Sequence, residues 1–323
     1  MIESLGVAVT DVDPIIRVEN LVFEYPTKRA LFDIDVTVRR GSITALVGPN
    51  GAGKTTLIRC MVALQEPFSG RVLLDGIDVH KHPREAHKRM GYLPDFYGLY
   101  EHLTVRQCLT YVAWIQGADP LKTGTLVEAA AERLNITDRL NEKSGALSRG
   151  LKQRLAIAQA VIHEPEFLIL DEPASGLDPD ARYQLSKLLV QLCDGGMTLV
   201  VSSHILAELE DYATDVIVIR DGKIVSAGAL AGTSPNEARR LIITLTEPRD
   251  NLEAVLGGID GVSALHIENR VARLRLSGGD AAQETLLRTL FDAGLPVLEF
   301  KVETERLRDT YMATLSGVED GKG

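Results

Sequence analysis

The stretch Gly48-Pro49-Asn50-Gly51-Ala52-Gly53-Lys54-Thr55-Thr56 decides the fold of this chain. It fits the pattern GxxxxGK[ST], follows the strand-like run SITALVG, and precedes a run with helical spacing. Glycines at these positions let the backbone wind tightly and direct its N–H groups at phosphate oxygens, and the N-terminus of the following helix adds a partial positive charge. Lys54 would bring a point charge to the β- and γ-phosphates, and the Thr55 hydroxyl is suited to bind Mg²⁺. We therefore predict a nucleoside triphosphate site here, with an ordinary glycine-rich turn as the alternative.

A second run, FLILDE at residues 167–172, is an apolar strand that ends in two acids. A carboxylate at the end of a neighbouring parallel strand is suited to hold Mg²⁺ beside a bound triphosphate, and we assign that role to Asp171. Glu172 should point elsewhere because side chains alternate along a strand, so it is our candidate for the base that orients and deprotonates the attacking water. A solvent-exposed acidic pair at the end of a strand is the alternative.

The composition excludes several classes of protein. The chain has 323 residues, 45% hydrophobic and 25% charged, which is typical of folded globular proteins. Its formal net charge of −10 argues against a dedicated nucleic-acid binder, so we expect no nucleic-acid partner. No apolar run approaches the roughly 18 residues that cross a bilayer, and the first residues resemble no secretory signal, so we expect a cytoplasmic protein. Cys60, Cys108 and Cys193 lie far apart and are predicted to be buried thiols.

The pattern along the chain predicts two domains. Up to about Gly228, strand-like and helical runs alternate, which indicates an α/β domain with a largely parallel central sheet. The strand signal disappears between Leu103 and Glu164, where three runs have helical spacing, so a helical insertion interrupts the sheet. We place the first domain at 15–232, with its helical part at about 100–165.

The rest of the chain predicts a small α+β domain at 239–316. Turn-forming residues at 234–238 mark the boundary. The order that follows is a strand, a helix at about 251–257, a hairpin that turns at Glu268–Asn269, a helix at about 281–293, a strand and a last helix, LRDTYMATL.

The segment Ala146–Arg154, ALSRGLKQR, lies shortly before the acidic strand, and with it the chain closely resembles the ATP-binding-cassette (ABC) ATPases. The resemblance implies their phosphate-loop fold, with a mostly parallel central sheet, an antiparallel β subdomain and a helical insertion, and it implies ATP and Mg²⁺ as ligands. The family signature is LSGGQ followed by a basic residue and QR. This chain keeps Ser148 and Gly150 but neither the first glycine nor the first glutamine. The family places these two residues against the γ-phosphate bound by a second subunit; taken alone, the motif is a helix cap.

Further family positions match residue by residue. Tyr25 corresponds to the aromatic residue that stacks on adenine, since a π-face binds a base with little hydrogen-bond recognition. Asp178, in SGLD, corresponds to the loop that crosses the dimer interface and couples the two sites. His204 corresponds to the histidine that contacts the γ-phosphate and the attacking water. The alternatives are an aromatic residue at a strand end for Tyr25, and a helix-capping or core histidine for His204.

Asp95 departs from the family pattern. In GYLPD the family usually has glutamine at this position, where it contacts Mg²⁺ and reports the nucleotide state to the membrane partner. A carboxylate at Asp95 can reach the metal directly or through water. Its negative charge beside a triphosphate needs Mg²⁺ or a lysine to offset it.

The motifs together with a short appended domain resemble the export-type subfamily, whose permease is a separate chain. The resemblance implies a motor that dimerises around ATP with an identical or closely related subunit on the cytoplasmic face of the membrane. It also implies a groove for a permease helix beside Tyr92–Tyr100. The alternative is a soluble regulatory ATPase of the same fold that acts on a ribosome, DNA or a protein complex. The C-terminal domain either binds a regulatory ligand or braces the cassette or dimerises.

Two further patterns predict ordinary structural elements and no functional site. LSGGD at Leu276–Asp280 looks more like the signature than the true motif does, but it lacks the KQR continuation, so we predict a strand-to-helix turn. His80, His82 and His87 lie among lysines and arginines without carboxylates or cysteines to complete a metal shell. They predict the exposed start of a basic helix.

Overall fold

The computed structural model describes residues 14–205, 209–210, 212–230 and 239–303. The chain divides into two compact units, 1–228 and 229–323. The predicted boundary at 234–238 and the predicted last helix, LRDTYMATL, lie outside the described residues. The domain limits 15–232 and 239–316 therefore remain predictions.

Strands and helices alternate through the first unit. In chain order they are β1 (Pro14–Tyr25), β2 (Lys28–Arg39), β3 (Ile43–Val47), α1 (Lys54–Met61), β4 (Ser69–Leu74), β5 (Ile77–Asp78), α2 (Pro83–His87), β6 (Met90–Leu93), α3 (Val105–Ile115), α4 (Thr123–Arg133), α5 (Arg149–Val161), β7 (Phe167–Leu170), α6 (Pro179–Asp194), β8 (Thr198–Ser203), β9 (Asp215–Arg220) and β10 (Lys223–Ala229).

The central sheet is six-stranded, in the order β10-β9-β3-β8-β7-β6. Strand β3 is parallel to β8 and β9, and β7 is parallel to β6 and β8, so the prediction of a largely parallel sheet is confirmed. Every residue of β3 and of β7 is buried, which explains why both read as continuous apolar runs. Parallel strands bring their carboxyl ends to one edge of the sheet, and the chain segments after β3, β7 and β8 meet there.

A second sheet and the helical insertion complete the first unit. The sheet has the order β2-β1-β4-β5, and its strands pair in antiparallel fashion. Helices α3, α4 and α5 lie between β6 and β7, as the loss of strand signal predicts. Helix α3 begins with a capping box, in which Thr104 and Gln107 satisfy each other's backbone N–H groups.

The second unit is α+β, as expected. It contains β11 (Arg239–Leu245), α7 (Leu252–Gly257), β12 (Val262–Glu268), β13 (Val271–Leu276), α8 (Gly279–Asp292) and β14 (Val297–Glu303). The sheet order is β12-β13-β11-β14, and all three pairs are antiparallel. The hairpin turn lies one residue later than predicted, because Glu268 still pairs with Val271. LSGGD is the strand-to-helix turn that we predicted, between β13 and α8.

Two predictions about side chains need correction. Cys60 and Cys108 are buried, and burial raises the pKa of the Cys60 thiol to about 12, but Cys193 is only partly buried. His82 and His87 are exposed at the start and end of α2, whereas His80 is half-buried, with its Nε2 3.0 Å from the carbonyl oxygen of Gln65.

Candidate active site

The loop between β3 and α1 requires glycine at two positions. A Cβ atom on Gly48 would overlap the carbonyl oxygen of Ile219 in β9. Gly53 has φ of 111°, which L-residues rarely adopt, and a Cβ there would lie 2.9 Å from Leu31. The glycine pattern thus reflects close packing beneath the loop, in addition to the access that a phosphate needs.

Lys54 is the first residue of α1, directly after this loop. Its side chain is only 6% exposed, and its Nζ donates to the carbonyl oxygens of Gly48 at 2.8 Å and Pro49 at 3.4 Å. The same Nζ lies 3.7 Å from Oε1 of Glu172. A buried ammonium held by backbone carbonyls is a fixed positive charge, suited to an incoming phosphate.

Asp171 is buried and half satisfied. Its Oδ1 accepts a 2.6 Å hydrogen bond from the Ser202 hydroxyl, whose oxygen accepts the Glu172 N–H at 2.9 Å. Within the described residues, the buried Oδ2 of Asp171 has no hydrogen-bond partner. Buried polar atoms rarely lack a partner, and a carboxylate oxygen is a preferred ligand of Mg²⁺. The donor set therefore fits a divalent cation.

Glu172 turns away from Asp171 for a reason that differs from the predicted one. Strand β7 ends at Leu170, so strand alternation does not act on the acidic pair. Glu172 instead has φ of 51°, in the left-handed region. This backbone conformation accompanies a different set of contacts: Oε2 of Glu172 lies 2.7 Å from Nδ1 of His204. A strained backbone of this kind is often found at functional sites.

A cleft of about 720 Å³ gathers most of the predicted residues. Tyr25 forms one wall, and its hydroxyl lies 3.2 Å from that of Thr56. The sequence-predicted residues that line the cleft are Tyr25, Asn50, Gly51, Gly53, Lys54, Thr55, Thr56, Asp95, Glu172 and His204. The volume, the phosphate loop at the base and the aromatic wall are compatible with a nucleotide.

Sequence reasoning missed part of the wall. The additional lining residues are Lys28, Arg29, Ala30, Phe32, Ser175, Asp221 and Gly222. Lys28 and Arg29 follow Tyr25 across a tight turn, and that proximity is a signal that was available in the sequence. Asp221 and Gly222 come from the turn between β9 and β10, and only the order of strands in the sheet brings them here.

Asp95 lies near the two acids of the site. Burial raises the pKa of its carboxyl group, and the negative charges of Asp171 and Glu172 raise it further. Three carboxylates that share one region repel each other, so a cation between them would stabilise the arrangement.

Several predicted residues do not line the cleft. Ser148 caps α5 by accepting from the N–H of Leu151 at 3.4 Å, and Asp178 caps α6 by accepting from the N–H of Ala181 at 2.8 Å. The others outside the cleft lining are Gly48, Pro49, Ala52, Gly150 and Asp171. Ser148 is therefore the helix cap that its sequence alone indicates, and its exposed position leaves it accessible to a second molecule.

Known proteins match most of this chain in sequence. The profile of the family described as ABC transporter matches residues 31–175. The bacitracin transport ATP-binding protein BcrA of Bacillus licheniformis is 34% identical over 305 residues, which cover 94% of this chain and 98% of that protein. The chain belongs to the ABC transporter ATP-binding proteins. Like the other ABC ATPases, it binds and hydrolyses ATP.

Other ABC proteins match over smaller parts of the chain. NatA of Bacillus subtilis, an ABC transporter ATP-binding protein, is 33% identical over 65% of this chain and 85% of its own length. The structure of cbiO1 from Clostridium perfringens, part of the ABC transporter complex cbiONQ, has a TM-score of 0.62 at 30% identity and covers 67% of this chain and 89% of that one. An ATP-binding cassette solved in an ADP conformation has a TM-score of 0.61 at 26% identity, over 68% of this chain and 92% of that one. The ABC ATPase fold is thus shown for the first unit.

Proposed function

We propose that this chain is the ATP-hydrolysing motor subunit of an export-type ABC transporter whose permease is a separate chain. The observation that carries the chemistry is the contact of Glu172 with both His204 and Lys54 at the mouth of the phosphate loop. Relatives of this chain along nearly its whole length are ATP-binding proteins of transporters, including one named for bacitracin transport.

Each residue of the cleft has a separate role in the proposed binding and hydrolysis of ATP. Glu172 orients and deprotonates the attacking water, and His204 holds the Glu172 carboxylate and contacts the γ-phosphate. Lys54 neutralises the negative charge that develops on the phosphoryl oxygens. Tyr25 stacks on the adenine ring, and its hydroxyl contacts Thr56 of the loop.

Mg²⁺ is the metal that the site would hold. The Thr55 hydroxyl, the Oδ2 atom of Asp171 and the Asp95 carboxylate are its candidate ligands. When bound there, Mg²⁺ would neutralise negative charge on the phosphates of ATP.

A second copy of this chain, or a close paralogue, completes the site. Ser148 and Gly150 lie outside the cleft of their own subunit, and Ser148 is exposed. A serine hydroxyl at the N-terminus of a helix can bind a phosphate. We propose that they close over the γ-phosphate of the other subunit, that Asp178 couples the two sites, and that hydrolysis releases the dimer.

The surface for the permease is an apolar groove beside the helical insertion. The groove has a volume of about 530 Å³, and Leu93, Val112 and Ala156 contribute to its walls. Leu64 and Ile115 line it and are 59% and 64% exposed, so they extend the apolar lining to the surface. An amphipathic helix of the permease fits such a groove and would bring the motor to the cytoplasmic face of the membrane. None of the described helices is both long enough and apolar enough to span a bilayer.

Purification from native membranes tests the assignment. The tagged chain, extracted in detergent from its own host, should carry an integral-membrane protein at comparable abundance. A variant with Ile115→Glu in the groove should lose that protein and keep its basal ATP hydrolysis, because Ile115 lies outside the nucleotide cleft.

The competing function is a soluble regulatory ATPase of the same fold. If the chain stays out of the membrane fraction and carries only soluble partners, the transport assignment fails and the ATPase site stands. An equal yield of the membrane protein with Ile115→Glu would show that the groove is not the docking surface.

A further inference from the structure

Arg149 stands where the family signature has its first glycine. It is the first residue of α5, between the capping Ser148 and Gly150. Its Nη2 donates a 3.1 Å hydrogen bond to the carbonyl oxygen of Ser175. A Cβ atom on Gly176 would overlap the Arg149 guanidinium, so this glycine leaves the space that the arginine occupies. The arginine side chain therefore turns back onto its own subunit.

The loop that Arg149 contacts begins at the catalytic base. The N–H of Ser175 donates to the carbonyl oxygen of Glu172 at 3.1 Å, and the Glu172 carboxylate contacts Lys54 and His204. The loop ends at Asp178, which caps α6. Two hydrogen bonds, through Ser175, therefore connect the start of α5 with Glu172 of the same subunit.

Charge favours this position of the guanidinium. Arg149 lines a cavity of about 460 Å³ together with Asp95, Asp171 and Glu172. A guanidinium remains positively charged at all ordinary pH values. A place in the same cavity as three carboxylates is therefore electrostatically favourable for Arg149.

We propose that Arg149 is a positioning residue: its hydrogen bond to Ser175 holds the N-terminus of α5 against the loop 172–178 of its own subunit. We call this contact the clasp. The clasp holds the loop that carries Glu172 through Ser175, so its loss affects the site that uses Glu172 of the same chain. The inference rests on the ABC dimer proposed above. Arg149 acts in cis, through Ser175, and not as an arginine that reaches across the interface to a phosphate.

Mixed dimers separate the two modes of action. A chain with Glu172→Gln is paired with a chain with Arg149→Ala, and the pair is isolated through two different tags. Only the site that uses Glu172 of the Arg149→Ala chain turns over, and its partner supplies an intact Arg149. The clasp predicts that kcat falls about threefold to tenfold relative to a Glu172→Gln chain paired with wild type, because the base is less well held. A phosphate contact in trans predicts no loss.

The converse dimer gives the opposite expectation. When Glu172→Gln and Arg149→Ala are on one chain and the partner is wild type, the working Glu172 has its own Arg149. The clasp predicts the full rate of the reference dimer, and a contact in trans predicts a loss. A loss in this dimer, with or without a loss in the first one, overturns the proposal, as does an unchanged rate in both.

Three controls exclude a general structural effect. The affinity for a fluorescent ATP analogue, measured by anisotropy, should stay within about twofold in every Arg149 variant, since Arg149 does not line the nucleotide cleft. Arg149→Lys should recover part of the rate, because an ammonium can still donate to the Ser175 carbonyl. Arg106→Ala, which removes a partly exposed arginine of α3 paired with Glu128 at 3.5 Å, should leave the rate unchanged.

Failure of the dimer is a separate result. If the Glu172→Gln chain does not dimerise with ATP on gel filtration, the proposed dimer fails. The clasp is then tested in the single chain, where Arg149→Ala should still lower kcat at unchanged ATP affinity. An unchanged kcat there overturns the clasp.

Discussion

Ser202 shows how a single hydroxyl organises the acids of the site. It donates to Asp171 Oδ1 and accepts from the N–H of Glu172, so it fixes both members of the acidic pair. Ser202→Ala leaves a buried carboxylate oxygen and a backbone N–H without this partner. Each unsatisfied buried group costs about 1–3 kcal/mol, so we expect a loss of that order in the free energy of unfolding and a lower turnover.

Denaturant unfolding measures the effect of Ser202→Ala. The matched control is Ser186→Ala in α6, where the hydroxyl donates to the carbonyl oxygen of Tyr183 and touches neither acid. Its unfolding free energy should change by no more than about 0.5 kcal/mol. Equal stabilities for the two variants would show that Ser202 does not support the acidic pair.

The largest predicted effect on turnover is that of replacing Glu172. Glu172→Gln keeps the size of the side chain and removes its basicity, so turnover should fall by about 10²–10⁴-fold while ATP still binds. Steady-state release of phosphate and a binding titration measure the two quantities. Glu132→Gln on the exposed face of α4 is the control. Unchanged turnover with Glu172→Gln would remove it from the role of base.

Sequence alone predicts those parts of the site whose chemistry is local. Lys54, Thr55 and Asp171 belong to short motifs because a tight loop or a strand end places them, and strand and helix signals are local as well. Ser202 was missed because its role depends on β8 lying next to β7. The same holds for Asp221, which reaches the cleft only because β9 lies next to β3. The contact of Arg149 with Ser175 joins residues that no short motif connects.

At the scale of elements, three segments of the first unit are joined by hydrogen bonds at the candidate cleft. The N–H of Phe32 in β2 donates to the carbonyl oxygen of Gly222 at 2.8 Å, and the N–H of Gly222 donates to that of Ala52 in the phosphate loop at 2.9 Å. Gly222 thus connects β2, the β9–β10 turn and the loop. A Cβ on Gly222 would overlap the carbonyl oxygen of Ala30.

Gly222→Ala should therefore weaken both the fold and the site. Gly222 has φ of 73°, and an alanine in this region costs about 1–2 kcal/mol before any overlap is counted. Relief of the overlap must displace β2 or the turn, which adds about 1–3 kcal/mol and should also lower the affinity for ATP. Thermal unfolding and an ATP titration measure the two effects.

Gly76→Ala is the matched control for this variant. Gly76 has a similar φ of 80°, but nothing lies within 4 Å of its added Cβ. It should show only the backbone cost and an unchanged ATP affinity. If the two variants were equally stable, the close packing at Gly222 would not contribute to the free energy of unfolding.

At the scale of the whole molecule, the chain has two units that each bury their own apolar residues. One cluster joins both sheets of the first unit, and a separate cluster joins β11, β13 and the two helices of the second. Every residue that lines the nucleotide cleft lies at or before Gly222. The hydrolytic chemistry should therefore need only the first unit.

A chain that ends at residue 235 tests this division. Because a unit with its own core can fold alone, we expect a cooperative unfolding transition and a basal kcat within about threefold of the full chain. Circular dichroism and steady-state phosphate release measure these properties, and Glu172→Gln in the same shortened chain gives the background. A shortened chain that folds but does not bind ATP would show that the second unit takes part in the nucleotide site. Equal activity would restrict the second unit to regulation, bracing or assembly, since the residues that hold and cleave ATP would then all be accounted for in the first.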